Sequence, residues 1–555
     1  MPRRIAGLSA RIRALLIVLC VLVVAAAGLG LRYALGSGGD TAARPAPAGP
    51  RTADRIVPVP LSVTPGTGPG YRLTDRTVIR TAPGTGTVER QAGEVRRIAE
   101  RLAEALRRPT GLPLPVAEPA AGEGIALALD PALPDTTDTT GTEGYRLTAD
   151  ADGVRITART PEGLFRGTQT LRQLLPPRIE SPTRVADGEE WTLAPVTVED
   201  RPRYRYRGAM LDVARHFFTP AEVKGFIDRL ALYKLNHLHL HLTDDQGWRI
   251  EVPARPALTA VGATSEVGGT PGGYWTAADY QEIVRYAQER YLTVVPEIDL
   301  PGHSNAALAA YPELDCTGSA RPWPYTGIEV GFSTLCPTGD AVFAFTRDVV
   351  TELARLTPGP YLHIGGDEVK GVAPAEYAEF VRRVGEQVRA AGKTPVGWNQ
   401  AAPGGIGLLQ FWDGRAGRDT ELREATERGA EVIMSPSGRS YLDMKYEATY
   451  PLGLVWAGTV DVRTAYDWDP DTLLPLRDGS VVGVEAPLWT ETLDTPGELD
   501  LMLLPRLPAL AELGWSPRGS HDWERFKGRL AEEGARWEAA GYAYERRHEV
   551  PWPAR

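Results

Sequence analysis

The body of this chain has no basic cluster, and so lacks the ordinary means of gripping nucleic acid. The balance runs the other way, with a formal net charge of −10 and a sequence pI near 5.5. Cysteine is scarce: of 3 residues, one (Cys20) lies in an apolar run near the start, leaving Cys316 and Cys336. That number excludes a small scaffold stapled by many disulfides. Phenylalanine, at 10, is outnumbered by tryptophan, at 13. Tryptophan is ordinary core material, but it is also the side chain that best stacks on the C–H face of a sugar or walls an apolar pocket.

At 555 residues the chain exceeds a single core, and length alone suggests roughly two to four domains. Its first residues read as a targeting segment. Arg3, Arg4, Arg11 and Arg13 precede an apolar run over 14–31 that holds Ala25, Ala26 and Ala27. A basic front, an apolar middle and small residues at the end describe a secretory signal. The run is about 18 residues, just long enough to span a bilayer, so 1–35 is a signal peptide or an uncleaved anchor. Leu19 stands where a lipid-attachment site at Cys20 wants a small residue, which argues against lipidation. Proline and alanine then dominate 42–51, and 36–55 reads as an extended linker. In an exported protein the pair Cys316 and Cys336 favours a disulfide, and closing about 20 residues is worth about 3 kcal/mol.

Residues 56–200 read as a small α/β accessory domain. Strand patterns fall at 77–81, 125–129, 145–148 and 154–158. A helix runs through Val95, Ile98, Leu102 and Leu106 at 3.6-residue spacing, and a second over 163–175 stops at Pro176 and Pro177. Nothing catalytic stands out there. From 201 to 555 strand and helix patterns alternate. Strands are predicted at 208–213, 237–242, 292–298, 361–364, 394–398, 407–411, 431–434 and 481–484, and helices at 220–233, 277–290, 374–391 and 501–513 among others. This is the alternation of a (β/α)8 TIM barrel, whose active site lies at the C-terminal ends of its strands.

Polar and aromatic residues gather at those ends. Strand one ends in Asp212 to His216, strand two in Asp244 and Asp245, strand three in Glu297, Asp299 and His303. Strand four ends in Gly365, Gly366, Asp367 and Glu368, strand five in Trp398 and Asn399, strand six in Trp412 and Asp413, and strand eight runs on through Glu485 to Trp489 and Glu491. Adjacent carboxyls such as Asp367 and Glu368 push each other's pKa apart, so one can stay protonated as an acid while the other is ionised. Acids, an arginine and tryptophans, with no nucleophilic serine or cysteine among them, suggest glycoside hydrolysis. Neighbours in sequence cannot easily straddle a sugar ring as a retaining pair does, about 5 Å apart on opposite faces. An alternative is a substrate that attacks itself through a 2-acetamido carbonyl, with Asp367 holding its N–H and Glu368 as the acid.

The strings GAMLDVARHFF, HLTDDQGWRI, EIDLPGHSNAA, HIGGDE, PVGWNQ and EAPLWTET closely resemble the β-N-acetylhexosaminidases of glycoside hydrolase family 20. The likeness covers 201–515, and the preceding domain resembles that family's accessory domain. The resemblance implies exo-acting, substrate-assisted retention through an oxazolinium intermediate, with release of terminal β-linked GlcNAc or GalNAc and no cofactor or metal. Position by position, Glu368 resembles the general acid/base, Asp367 the residue that orients the acetamido nitrogen, and Tyr441 the donor to the acetamido oxygen. Trp398, Trp412 and Trp489 resemble the acetyl-pocket walls, with Trp456 lining the same site. Arg215 should grip the 3- and 4-hydroxyls with its planar fork; Asp443 and Glu491 should accept from the outer hydroxyls; Asp244 and His303 resemble partners that position the acids.

Two other readings compete. His237, His239 and His241 alternate along a strand, so they share one face, and with Asp244, Asp245, His303 and His363 they invite a zinc amidohydrolase. They run along the strand rather than cluster at its end, which favours hydrogen-bonded barrel filling. The other is a non-catalytic glycan-binding protein, whose signature would be loss of the acid; Glu368 is present. The expected partner is a carbohydrate with a terminal N-acetylhexosamine, with no nucleic acid and membrane contact only through the N-terminal segment. Location is secreted or anchored to the outer face of the membrane.

Overall fold

The computed structural model describes residues 53–82, 89–133, 142–186, 188–316, 323–413 and 419–554. The targeting segment and most of the linker lie outside them. Among the described residues no helix is long and apolar enough to cross a membrane.

The accessory domain is a mixed seven-stranded sheet. Its spatial order is Ser62–Pro65, Val196–Asp200, Tyr145–Asp150, Gly153–Ala158, Gly124–Leu129, Ile79–Thr81 and Val116–Ala117. Helices Glu89–Thr110 and Pro161–Leu174 cover it, burying Val95, Ile98, Leu102 and Leu106 from the first. Thr160 caps the second by accepting from the Gly163 amide, which satisfies one of the donors a helix start leaves open. Three strands of this sheet escape the pattern reading, Ser62–Pro65, Val116–Ala117 and Val196–Asp200. Ser62–Pro65 is short, exposed and rich in turn formers, and it pairs only with Val196–Asp200, far along the chain.

Eight parallel strands close the barrel: Tyr206–Asp212, His237–His241, Thr293–Glu297, Tyr361–His363, Thr394–Trp398, Leu408–Phe411, Glu431–Met434 and Val481–Leu488. The last pairs with the first, Gly208 opposite Glu485. Two features differ from the pattern. Strand eight runs four residues past the predicted 484, to Leu488, so Glu485 lies inside the barrel rather than at its mouth; its residues Glu485 to Leu488 are buried. The helix expected over 501–513 is two helices, Pro496–Leu503 and Arg506–Trp515. Pro505 has no N–H to give and its ring disfavours helical backbone at Leu504. The buried Arg506 guanidinium then takes up carbonyls of Met444, Val460 and Met502 at 2.7–2.9 Å.

The joint between domains is made of charge. Glu143 receives Arg166 at 2.8 Å, Asn236 at 3.2 Å and the guanidinium of Arg207. Lys234 donates to Asp200 at 2.9 Å and to the Tyr145 hydroxyl at 3.0 Å. Cys316 and Cys336 are joined as a disulfide, Cα to Cα 4.7 Å.

Candidate active site

Strand four sets the centre of the site. It ends at His363, and the chain then turns through Gly365 (φ 65°) and Gly366 (φ 103°). A Cβ on Gly365 would stand 1.7 Å from an Asp299 oxygen, so only glycine admits this approach. Asp299 accepts from the Gly366 amide at 3.0 Å, which pins the turn. Glu368 follows at φ 51°, and His303 sits at φ 52°. Left-handed backbone at two residues that carry a Cβ is rare, and here both belong to one charged contact: His303 Nε2 is 3.6 Å from Glu368 Oε2.

The two adjacent carboxyls do settle apart, but in the order opposite to the one the acid role suggests. Burial pushes Asp367 up to about 6, helped by the charge of Glu368. Burial would raise Glu368 too, but the His303 ring beside it holds it below the ordinary range. Asp299 is driven well above the carboxylate range by burial and by Asp367, with which it shares a hydrogen bond. Sequence spacing reveals the neighbours but not which one receives the imidazolium. Asp299 is a residue the motif reading left without a role, although it closes the apolar run of strand three.

Behind His303 stands Asp244, which accepts from His303 Nδ1 at 3.1 Å and from His241 Nε2 at 2.9 Å, and pairs with Arg215 Nη2 at 2.8 Å. Burial would raise Asp244, but Arg215 and His303 hold it well below its usual value. Arg215 is therefore half committed: Nη1 meets Asp212 at 3.2 Å, Nη2 meets Asp244, and its plane lies over Trp489 at 4.8 Å. Its Nε is buried without a protein partner. Asp212 and Asp244 each engage one terminal nitrogen, and each of those nitrogens carries a second N–H.

The aromatic residues come together as one cluster. Ring centroids lie 6.1 Å apart for Trp398 and Trp489, 6.2 Å for Tyr441 and Trp489, and 5.8 Å for Trp456 against both Trp412 and Tyr441. Trp398, Trp412, Trp489 and Tyr441 are buried, whereas Trp456 is 52% exposed at the rim. Ionised Asp367 is among the groups that raise the buried Tyr441 phenol, after burial itself, so acids and aromatics face one space. Asp443 and Glu491 lie beside one another nearby. Burial and Glu491 drive Asp443 well above the carboxylate range, and burial raises Glu491 as well, against Arg215. One oxygen of Asp367, both of Asp443 and one of Glu491 are buried with no side-chain partner. Buried polar atoms cost about 1–3 kcal/mol each when left unpaired, so their convergence marks a surface made for a polar ligand.

The histidine strand points inward. His239 sits between Glu485 at 2.8 Å and Glu297 at 3.0 Å, and His241 between Glu297 at 2.6 Å and Asp244. Burial would discharge both rings, but their carboxylate partners push His239 up to about 10 and His241 to about 9. Three groups here have atoms within 4.8 Å: His239, Glu297 and His363; His241, Glu297 and Asp299; Asp244, Asp299 and His303. An imidazolium with both N–H groups engaged offers no lone pair, so His239 and His241 suit ion pairing better than a zinc ion. A separate cavity of about 810 Å³ lies between Leu61, Pro195 and Arg525, and none of the strand-end residues lines it.

A closed parallel barrel with acids, one arginine and tryptophans at its C-terminal rim has the build of a glycosidase. Comparison with known proteins agrees. The model "Glycosyl hydrolase family 20, catalytic domain" matches residues 204–378 and 373–518, and "Glycosyl hydrolase family 20, domain 2" matches 53–201. A β-N-acetylhexosaminidase of Cellulomonas fimi is 44% identical over 507 residues, 90% of this chain and 97% of that protein. The solved family 20 β-N-acetylhexosaminidase of Streptomyces coelicolor A3(2) has a TM-score of 0.86 at 50% identity, covering 91% of this chain and all of that one. A Streptomyces plicatus β-hexosaminidase mutant in complex with its product GlcNAc has a TM-score of 0.85 at 51% identity, covering 92% and 99%. The chain belongs to glycosyl hydrolase family 20. Its activity is glycoside hydrolysis of the β-N-acetylhexosaminidase type.

Proposed function

We propose that this chain is an exported exo-acting enzyme that removes terminal β-linked GlcNAc or GalNAc from chitooligosaccharides or similar glycans, with retention and through an oxazolinium intermediate. One observation carries the reading: the two acids are neighbours on a single turn, and Asp367 leaves a buried oxygen unpaired beside Tyr441 and the tryptophan cluster. Acids so placed serve one side of the anomeric carbon, so the nucleophile on the other side must come from the substrate. Asp367 accepts the acetamido N–H, Tyr441 donates to the acetamido oxygen, and Trp398, Trp412 and Trp489 hold the acetyl group against C1. Arg215 donates to the 3- and 4-hydroxyls, Asp443 and Glu491 accept from the outer hydroxyls, and Trp456 meets the sugar edge from the rim.

The order of the free carboxyls fits once the substrate is present. An amide N–H on Asp367 favours its ionised form, and a sugar covering the 29%-exposed Glu368 side chain removes the water that favours its charge. Binding thereby reverses the pair: Asp367 ionised, Glu368 protonated and ready to donate to the leaving oxygen. Glu368 then returns as base for the water that opens the oxazolinium ring.

The test is hydrolysis of p-nitrophenyl-β-GlcNAc and chitobiose, with the first-formed anomer read by NMR and thiazoline inhibition measured alongside. Retention, nanomolar-to-micromolar thiazoline inhibition and a loss of about 10²-fold or more in Asp367→Asn are expected. Equal turnover by Asp367→Asn and wild type would remove the substrate-assisted route. Sugar affinity without turnover would leave the glycan-binding reading in its place.

A further inference from the structure

We propose that Glu297 is the positioning residue that joins the two halves of this site, one oxygen fixing the Trp398 wall and the other anchoring the arm behind Glu368. The proposal rests on the roles given above to Trp398, Asp367 and Glu368. Glu297 ends the third barrel strand, points inward and is fully buried. Its Oε1 accepts the Trp398 indole N–H at 2.9 Å. Its Oε2 accepts His241 Nδ1–H at 2.6 Å and His239 Nε2–H at 3.0 Å. From His241 the contacts run to Asp244, then His303, then Glu368, so charges alternate in sign from Glu297 to the acid. On its far side His239 meets Glu485, which also accepts from Tyr206 at 2.6 Å and Gln410 at 2.7 Å.

A carboxylate that merely filled a barrel layer would need partners but no particular destination for them. Glu297 instead touches the wall that presses on the acetyl group and begins the row that ends on the proton donor. Both must hold their places to within a fraction of an ångström for internal attack and proton donation to coincide. Its charge also reaches the acid pair directly, being among those that raise Asp299 and Asp367.

Glu297→Gln keeps the shape, removes the charge and leaves either the Trp398 N–H or the two histidine N–H groups without an acceptor. Its kcat on p-nitrophenyl-β-GlcNAc is expected to fall by about 10²-fold, while KM moves less than about threefold because Arg215, Asp443 and Glu491 stay in place. With one negative charge fewer near Asp367, the acidic limb of kcat/KM should move to lower pH. Glu297→Asp keeps the charge but shortens the reach: the limb should stay while kcat falls. Trp398→Phe keeps a ring but deletes the N–H, and should lower kcat without moving the limb. A Glu297→Gln enzyme with wild-type melting, kcat and pH profile would overturn the proposal. If that variant does not fold, wild-type kcat in both Glu297→Asp and Trp398→Phe would overturn it equally. An inactive wild type would instead sink the function proposed above, so the two failures are told apart.

Discussion

Two clusters of buried charge in this molecule are treated in two ways. At the joint between the domains, Glu143 is saturated by Arg166, Arg207 and Asn236, and Lys234 by Asp200 and Tyr145. At the barrel mouth, Asp367, Asp443, Glu491 and Arg215 each keep at least one buried atom with no partner in the protein. Both regions pay the desolvation cost of a buried ion. The joint recovers it within the chain, whereas the mouth leaves the recovery to a ligand. Burial of charge alone therefore does not mark a function; at the mouth the unpartnered carboxylate oxygens converge, and that convergence points to a ligand.

Three substitutions break or sharpen that contrast. Glu368→Gln acts on the open region and should lower kcat by about 10²–10⁴-fold, with the loss smaller for substrates whose leaving groups need no proton. Its denaturation midpoint should stay within about 0.5 kcal/mol of wild type. Glu143→Gln acts on the saturated region, strands two arginines, and should cost about 3–5 kcal/mol in chemical denaturation. The turnover of its folded fraction should be that of wild type. If it were Glu143→Gln that lost turnover and Glu368→Gln that lost stability, the contrast would be false. Trp456→Ala is the mildest. This half-exposed ring holds no charge, and losing its stacking of about 1 kcal/mol should raise KM several-fold at nearly constant kcat.

Much of this was legible in the sequence for a plain reason. A parallel barrel buries both faces of each strand, so its strands read as short apolar runs, and polar residues at their ends stand out against them. Trp398, Trp412, Trp456, Trp489 and Tyr441 form one ring cluster with Arg215 over Trp489, and Glu368 meets His303. What stayed hidden was whatever depends on who faces whom across the barrel. Glu297 looks like one more acid at a strand end, and only the opposing strands show that it points inward at Trp398 and His241. Glu485 was placed a layer too high because Ala486, Pro487 and Leu488 read as a loop, while pairing with strand one keeps them in the sheet. The break at Pro505 was visible in principle, but the apolar residues on either side keep helical spacing and masked it.

The left-handed backbone at Glu368 and His303 has a further consequence. Each carries a penalty of about 1–2 kcal/mol that a glycine at the same place would escape. Natural drift toward a sturdier molecule would thus press on the very two positions to which the proposed mechanism gives the proton donor and its partner. Robustness and turnover pull against each other at two facing turns, one after strand three and one after strand four, and a lineage that relaxed them would keep its barrel and lose its livelihood.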